Sequence, residues 1–402
     1  MAECSEPPGA TPSAGERLAV SSSRLFLAFL RLGLTAFGGP AMVVYIRDLA
    51  VKKHGWLSEE SFEGGVSLCQ TIPGATAMQT AAYVGLRAGG PFGAVAAFVG
   101  FGLPAFILMV ILSVLYGETR DLLPVTAAFR GLHVVVVALV AHATLNFGWR
   151  SVKNWRDVLL TAGAAAFLGF HGSPILAVVA AAAAGLVLYR GMDLKSAEGA
   201  AGGQGGPRRL IRFAAILTGV AAIGLALVFC LNRALGNLAA LMMKVDVFAF
   251  GGGFASVPLL FHEVVAVRQW MDSRTLMDGI ALGQVTPGPI IITATFVGYQ
   301  IAGLAGALVA TLGIFTPSFL MVLVTVPYFD RLQRSPTFRR ALRGILASFV
   351  GLLLAVTVRF GLEVSWTIPS VILGAAALAA LRLRIDILWV VLVGGLVSVL
   401  IL

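Results

Sequence analysis

Two short stretches hold the residues best suited to chemistry: "CQTIPGA", Cys69–Ala75, and "GQVTPGPI", Gly283–Ile290. Each sets a glutamine three residues before a proline, a threonine between them and a glycine directly after. The residues are Gln70, Thr71, Pro73 and Gly74 in the first copy, and Gln284, Thr286, Pro287 and Gly288 in the second. Proline removes a backbone donor and glycine admits dihedrals closed to other residues, so a helix is interrupted at both places. A helix that restarts after Pro-Gly presents free N–H groups and a partial positive charge, which together attract an anion. The glutamine and threonine side chains add donors beside it. A Pro-Gly that only kinks a helix for packing is the plainer reading, and the occurrence of two copies favours a site.

Charge inside apolar segments is the second clue, because it is costly there unless it works. Arg31 and Lys244 stand 213 positions apart inside apolar runs, and Arg130 and Arg343 form a second pair at the same spacing. Symmetric cations around symmetric helix N-termini would suit a dianion, whereas snorkelling to a membrane edge would give them no such role. Acids are few and not duplicated. The deepest, Asp246, could neutralise Lys244 of a neighbouring molecule or helix, or carry a coupled proton. His133 follows Arg130 by three residues, but its repeat partner is Leu346, so it reads as structural. Gly38 and Gly39 in "FGGP" and Gly251 and Gly252 in "FGGGFASVP" serve either close helix packing or a second pair of breaks. No nucleophile–base pair, carboxylate set or metal-ligand cluster recurs, so an enzyme, a hydrolase or a metal-cation pump is disfavoured. No cofactor or metal is expected. Cys4, Cys69 and Cys230 lack paired spacing.

These residues need a membrane around them. Of 402 residues 58% are hydrophobic and 12% charged, far from the soluble balance of roughly half apolar and about a quarter charged. Apolar runs approach the ~20 residues that a crossing helix needs. The net charge of +10 is dispersed over short loops, which argues against nucleic acid. An all-α polytopic membrane protein is expected. Residues 1–23 are Pro- and Ser-rich and read as a disordered cytoplasmic N-terminus.

Sliding the chain by 213 or 214 positions superposes "AFGG" at Ala36 and Ala249, "GWL" at Gly55 on "QWM" at Gln269, and "GFGLPAF" at Gly100 on "GIFTPSF" at Gly313. This duplication gives a first repeat over 24–190 and a second over 232–402. Between them lie a Gly-rich linker at 191–209 and an extra helix at 210–231. The expected spans are 24–46, 65–86, 91–116, 124–147, 157–170 and 174–189, then 210–231, then 236–260, 278–300, 304–327, 341–361, 366–381 and 385–402. Thirteen crossings would place an odd number between equivalent points, so the halves should be inverted. On that count twenty Lys and Arg fall on one face and six, including Arg47, Lys52 and Lys53, on the other. Such a bias marks the cytoplasmic face, with the N-terminus inside and the C-terminus outside. Arg268 and Arg274 then fall inside. Inverted repeats with helices broken at mid-membrane describe a class of secondary transporter.

The sequence resembles the chromate ion transporters of the CHR superfamily, two-domain long-chain type, on "FGGP", "GWL", "CQTIPGA", "GFGLPAF" and "GQVTPGP" over nearly all of Arg24–Leu402. It departs from the pattern at Ala75, where the second copy has Pro289, and at Gly253, where the first has Pro40. The resemblance implies efflux of chromate, a tetrahedral dianion similar to sulfate, across the cytoplasmic membrane, and hence chromate resistance. The residues unaided give only an oxyanion carrier in the bilayer, and do not separate chromate from a sulfate-like ion; protons are a coupling partner if Asp246 titrates, and the oligomeric state is open between one chain and a homodimer. A sulfate carrier working by uptake or exchange, and an anion channel, stand as alternatives.

Overall fold

The computed structural model describes residues 20–37, 41–192 and 207–401. The expected disordered N-terminus up to residue 19, Gly38 and Gly39, and most of the Gly-rich linker lie outside the described residues. Within them every regular element is a helix. The first repeat contains α1 (Ser22–Thr35), α2 (Ala41–Arg47, continued by a π-helical turn at Asp48–Lys53), α3 (Glu59–Thr71), α4 (Thr76–Thr119), α5 (Leu123–Ser151), α6 (Trp155–Gly169) and α7 (Pro174–Leu188). The apolar helix α8 (Pro207–Leu231) follows. The second repeat contains α9 (Arg233–Phe248), α10 (Ser256–Leu260, continued at Phe261–Val267), α11 (Ser273–Val285), α12 (Thr293–Thr325), the short α13 (Phe329–Arg334), α14 (Pro336–Glu363), α15 (Ile368–Arg382) and α16 (Ile387–Ile401).

Two long helices double back. Gly90 has φ 69° and ψ −162° inside α4, and Gly303 has φ 58° inside α12. A methyl group on Gly85 would lie 2.3 Å from the Gly93 carbonyl oxygen, and one on Gly306 would lie 2.0 Å from that of Gly298. Thr295 and Thr311, sixteen residues apart, join hydroxyls at 2.7 Å. A straight helix would separate them by about 24 Å. Each of α4 and α12 is therefore a hairpin: 76–89 against 91–119, and 293–301 against 304–325.

The same reversal occurs at the Pro-Gly breaks. The Tyr83 ring fills the space beside Gly65, and its hydroxyl donates to the Ser61 carbonyl at 3.0 Å. Phe296 fills the equivalent space beside Gly279. Thus α3 runs antiparallel to 76–89, and α11 to 293–301. Helix α2 returns along α1, bringing Leu49, Lys53 and His54 beside Arg24, Ala28 and Arg31. Helix α10 returns along α9, joining Glu263 to Lys244 at 2.7 Å.

The expected single spans 24–46, 65–86, 236–260 and 278–300 are accordingly pairs of half-length helices; in the last three, Gly74, Gly251, Gly252 and Gly288 at positive φ let the chain turn rather than merely kink. Lys52 and Lys53, expected opposite Arg24, lie at its end of the molecule. Arg47, also expected there, pairs with Glu59 at the start of α3. Arg268 and Arg274, expected on the Arg24 face, lie at the other end with Glu263 and Glu363.

Long helices frame these hairpins. Helix α1 runs parallel to 91–119, with Gly93 against Leu25, Gly100 against the Phe26 carbonyl and Gly33 against that of Phe101. Segments 91–119 and 304–325 run antiparallel, with Ala94 near Leu323 and Phe98 between Phe315 and Phe319. Gly90 and Gly303 therefore lie at opposite ends, and the short hairpins of each half point inward from their own end. The hairpin α6–α7 packs along α14 of the second half, and α15–α16 along α5 of the first. Glycines let these pairs meet closely: Gly344 against the Ala181 carbonyl and Gly185, and Gly351 against that of Thr161. Five stretches are long and apolar enough to cross a membrane: Thr76–Thr119, Leu123–Ser151, Arg208–Leu231, Ile290–Tyr328 and Pro336–Glu363. Shorter apolar helices accompany them. Ile216, Val220, Ile223 and Leu227 leave one flank of α8 exposed, the surface that lipid would cover.

Candidate anion site at the junction of broken helices

Helix α3 stops at Thr71 and the chain restarts at Thr76, with Gly74 at φ 116°. Helix α11 stops at Val285, Gly288 has φ 138°, and a 3-10 turn at Ile290–Ile292 leads into α12. Both positive φ values lie where an L side chain is strained. Space adds a second constraint: a methyl group on Gly74 would lie 2.0 Å from Ser318 Oγ, and one on Gly288 2.6 Å from Ala105 Cβ. Ser318 and Ala105 are repeat equivalents, so each break packs against the proline-bearing helix of the other half.

The first break is tied to the second half by hydrogen bonds. Gly74 N–H donates to the Ala249 carbonyl at 2.9 Å. Ala75 N–H donates to Ser318 Oγ at 3.0 Å, and that hydroxyl donates to Asp246 Oδ1 at 2.9 Å. Gln79 Nε2 donates to the Pro73 carbonyl at 2.6 Å. Ala249–Gly252 is itself a break, with φ 96° at both Gly251 and Gly252. Gly252 lies beside Thr76, and Gly253 beside Ile290. Three interrupted segments, 72–76, 249–253 and 287–290, thus meet at one junction.

Asp246 and Gln79 are fully buried, and Gln284 nearly so. Asp246 Oδ2, Gln79 Oε1 and Gln284 Nε2 have no hydrogen-bond partner among the described residues. Buried polar atoms are rarely left so, and three around one junction mark a place built to receive something: a donor at the second break, and two acceptors at the first that suit a proton.

The sequence-derived candidates are only partly gathered there. Pro73, Gly74, Pro287 and Gly288 form the breaks, and Gln284 sits at the second. Gln70, its repeat equivalent, is exposed. The hydroxyls of Thr71 and Thr286 are engaged by their own helices, donating to Leu68 and Gly283 carbonyls at 2.7 and 2.9 Å. The four cations do not converge on the junction: Arg130 and Arg343 lie toward the two ends, and Arg31 and Lys244, a few residues before the ends of α1 and α9, turn their side chains elsewhere. Arg31 is exposed and lines a cavity with Arg24, Lys53 and His54. Lys244 pairs with Glu263, not Asp246, because residues two apart on a helix face different sides. Arg130 is exposed. Arg343 grips Asp157 through Nε and Nη2 at 3.0 and 2.9 Å, and lies over the Tyr189 ring, whose hydroxyl also donates to Asp157. His133 holds Asp278 Oδ1 at 2.6 Å while Tyr116 donates to Oδ2 at 2.7 Å; it thereby joins the two halves.

Ser318, Gln79, Asp278, Asp157 and Glu263 were not singled out from sequence. Their common signal is a polar residue where the repeat partner is not ionisable: Ala105 for Ser318, Leu49 for Glu263 and Ser370 for Asp157. Among the described residues no group of three or more His, Cys, Asp or Glu could hold a metal ion.

The sequence profile described as "Chromate transporter" matches this chain twice, over residues 23–186 and 236–399. The chain belongs to the chromate transporter family. It is 42% identical over 390 residues to an uncharacterized transporter of Methanocaldococcus jannaschii, covering 95% of each chain. It is 31% identical over 405 residues to a chromate transport protein of Pseudomonas aeruginosa, covering 94% of this chain and 92% of the relative. A chromate transport protein of Cupriavidus metallidurans is 28% identical over 386 residues, with the same coverage. No solved structure matches. The family is one of membrane transporters, and this member is a multi-pass membrane protein built of two homologous halves.

Proposed function

We infer that this protein exports chromate across the cytoplasmic membrane, conferring chromate resistance, with the ion held at the junction of broken helices and Asp246 carrying a proton the other way. The observation that carries this reading is the junction itself: Ala75 of the first half, Ser318 and Asp246 of the second, and three unpartnered buried polar atoms, in a chain of this family. Helix ends facing a mid-membrane site are how transporters hold ions without a fixed opposite charge.

The halves, 24–190 and 232–402, lie inverted in the membrane on this reading. Segments 91–119 and 304–325, with α5, α6, α7, α8, α14, α15 and α16, make nine crossings, and four hairpins dip in and return. Support comes from the opposite ends occupied by Gly90 and Gly303. The Arg24 end also carries Arg87, Arg150, Lys153, Arg156, Arg208, Arg209, Arg339 and Arg340, against Arg120, Arg233, Arg268, Arg274 and Arg359 at the other. Cytoplasmic loops collect such charge, so the N-terminus lies inside and the C-terminus outside. On this reading an ion enters the junction when the hairpins of one half part from the other.

The test is radiolabelled chromate flux in vesicles containing the purified protein. Saturable flux that an imposed proton gradient accelerates is expected, with sulfate as a weaker competitor. Asp246→Asn should retain chromate exchange and lose the response to the gradient. Flux no greater than in protein-free vesicles would overturn the reading, and a gradient response in Asp246→Asn would remove the proton role.

A further inference from the structure

The two α-hairpins at the start of each repeat differ in one charge. In the second repeat Glu263 lies between Lys244, at 2.7 Å, and Arg268. The pairing of backbone bonds fixes the equivalences: Arg268 N–H donates to the Glu263 carbonyl as His54 N–H donates to that of Leu49, and Trp270 to Val264 as Trp56 to Ala50. In the first repeat the same three places hold Arg31, Leu49 and His54. All three line one cavity of about 610 Å³, together with Arg24 and Lys53. The charge that balances this site in one half is therefore missing in the other, while the cations remain and increase.

No carboxylate lies within ion-pair distance of Arg24, Arg31 or Lys53 among the described residues. The nearby acids are spent: Asp48 pairs with Lys52 at 2.8 Å, and Glu59 with Arg47. His54 stacks on Trp56 with ring centroids 4.6 Å apart, which fixes its plane at the cavity wall. Burial and the positive charges of Arg24 and Lys53 hold its imidazole below the ordinary value. Cations gathered without a counter-charge bind one from outside.

We propose that the cavity between α1 and α2 is a second oxyanion site, in which a tetrahedral anion bridges Arg31 and His54 where the second repeat has the Glu263 carboxylate. Guanidinium and lysine donors suit either a free dianion or the phosphate of an acidic lipid. The cavity runs along α1 from Ser23 and Arg24 to Arg31 and Thr35, which makes it a capture site for the anion on its way from the Arg24 end to the broken helices. That role in capture rests on the transport reading; the binding does not.

The experiment reads His54 directly, by ring NMR of the whole protein in phosphatidylcholine nanodiscs, with His54→Gln to assign the signal. Adding sulfate or chromate should move the His54 titration upward, because an adjacent anion favours the charged ring. Leu49→Glu, which installs the missing carboxylate, should raise the His54 titration without any added anion and weaken the sulfate response roughly tenfold or more. Arg31→Met should weaken that response without the resting shift. Both variants are checked by gel filtration. A shift seen only with phosphatidylglycerol nanodiscs assigns the site to lipid phosphate, and a shift with sulfate in neutral lipid assigns it to the free ion. An unmoved His54 with every probe overturns the proposal, as does a Leu49→Glu or Arg31→Met protein that responds like wild type. If instead wild type carries no chromate while His54 still responds, the transport reading fails and the site stands.

Discussion

The Ser318 hydroxyl meets three groups at once: it accepts from Ala75 N–H of the first half, donates to Asp246 Oδ1 of its own, and closes the space over Gly74. Its repeat equivalent, Ala105, has no hydroxyl, and Asp246 has Gly33 as its counterpart. The hydroxyl and the carboxylate at the junction therefore come from the second half alone, and the two breaks differ in their chemistry. Replacing Ser318 by alanine would leave a buried amide and a buried carboxyl oxygen without partners, a loss of about 1–3 kcal/mol for each unsatisfied group. Ser318→Ala should therefore lower the thermal midpoint of the detergent-purified protein by several degrees. Ala105→Gly, which removes no hydrogen bond, is the comparison. Equal midpoints for Ser318→Ala and wild type would mean that the hydroxyl does not hold the two halves together.

The elements most open to view from sequence were those that end at proline or glycine, since loss of a backbone donor and release of φ act locally wherever they occur. The stops before Pro73 and Pro287 and the turn at His171, followed by Gly172 and Pro174, are of this kind. What the residues did not reveal was direction. A helix of 3.6-residue period looks the same in sequence whether the chain runs on through Pro73 or Pro287 or turns back there, so four half-length hairpins read as four spans. The reversals already read between spans, at Gly90 and Gly303, bring Gly85 against Gly93 and Gly298 against Gly306. Site residues divide the same way. Searching for repeated residues finds Gln284 and passes over Asp246's partner Ser318, because Ser318 has Ala105 as its repeat equivalent. The hairpin reading has a mutational consequence: Gly306→Val would drive a side chain into the Gly298 carbonyl, 2.0 Å from the first added carbon, whereas Gly219→Val in α8 meets nothing within 4 Å. Gly306→Val should abolish the monodisperse gel-filtration peak and Gly219→Val should keep it. Normal recovery of Gly306→Val would mean that α12 runs straight.

At the scale of the whole molecule, the halves are held by contacts that span the repeat boundary at both ends. Arg343 of the second half grips Asp157 of the first at the Arg24 end; Asp278 of the second binds His133 and Tyr116 of the first at the other. Between these clamps the junction joins the halves through the neutral hydrogen bonds of Gly74 to Ala249 and of Ala75 to Ser318 and through glycine contacts. The clamps also fix which loops share a face. The α2–α3 loop lies with Arg24 and the α10–α11 loop with Glu363, so inversion in a membrane would expose them to opposite compartments. After replacing Cys4, Cys69 and Cys230, single cysteines at Glu60 and Ser273 give a direct reading with a thiol reagent that does not cross membranes. In intact cells Ser273→Cys should react and Glu60→Cys should not, and both should react once the membrane is permeabilised. If both are labelled in intact cells, or neither, the two halves share one orientation, and the junction cannot then be a meeting of hairpins from opposite sides.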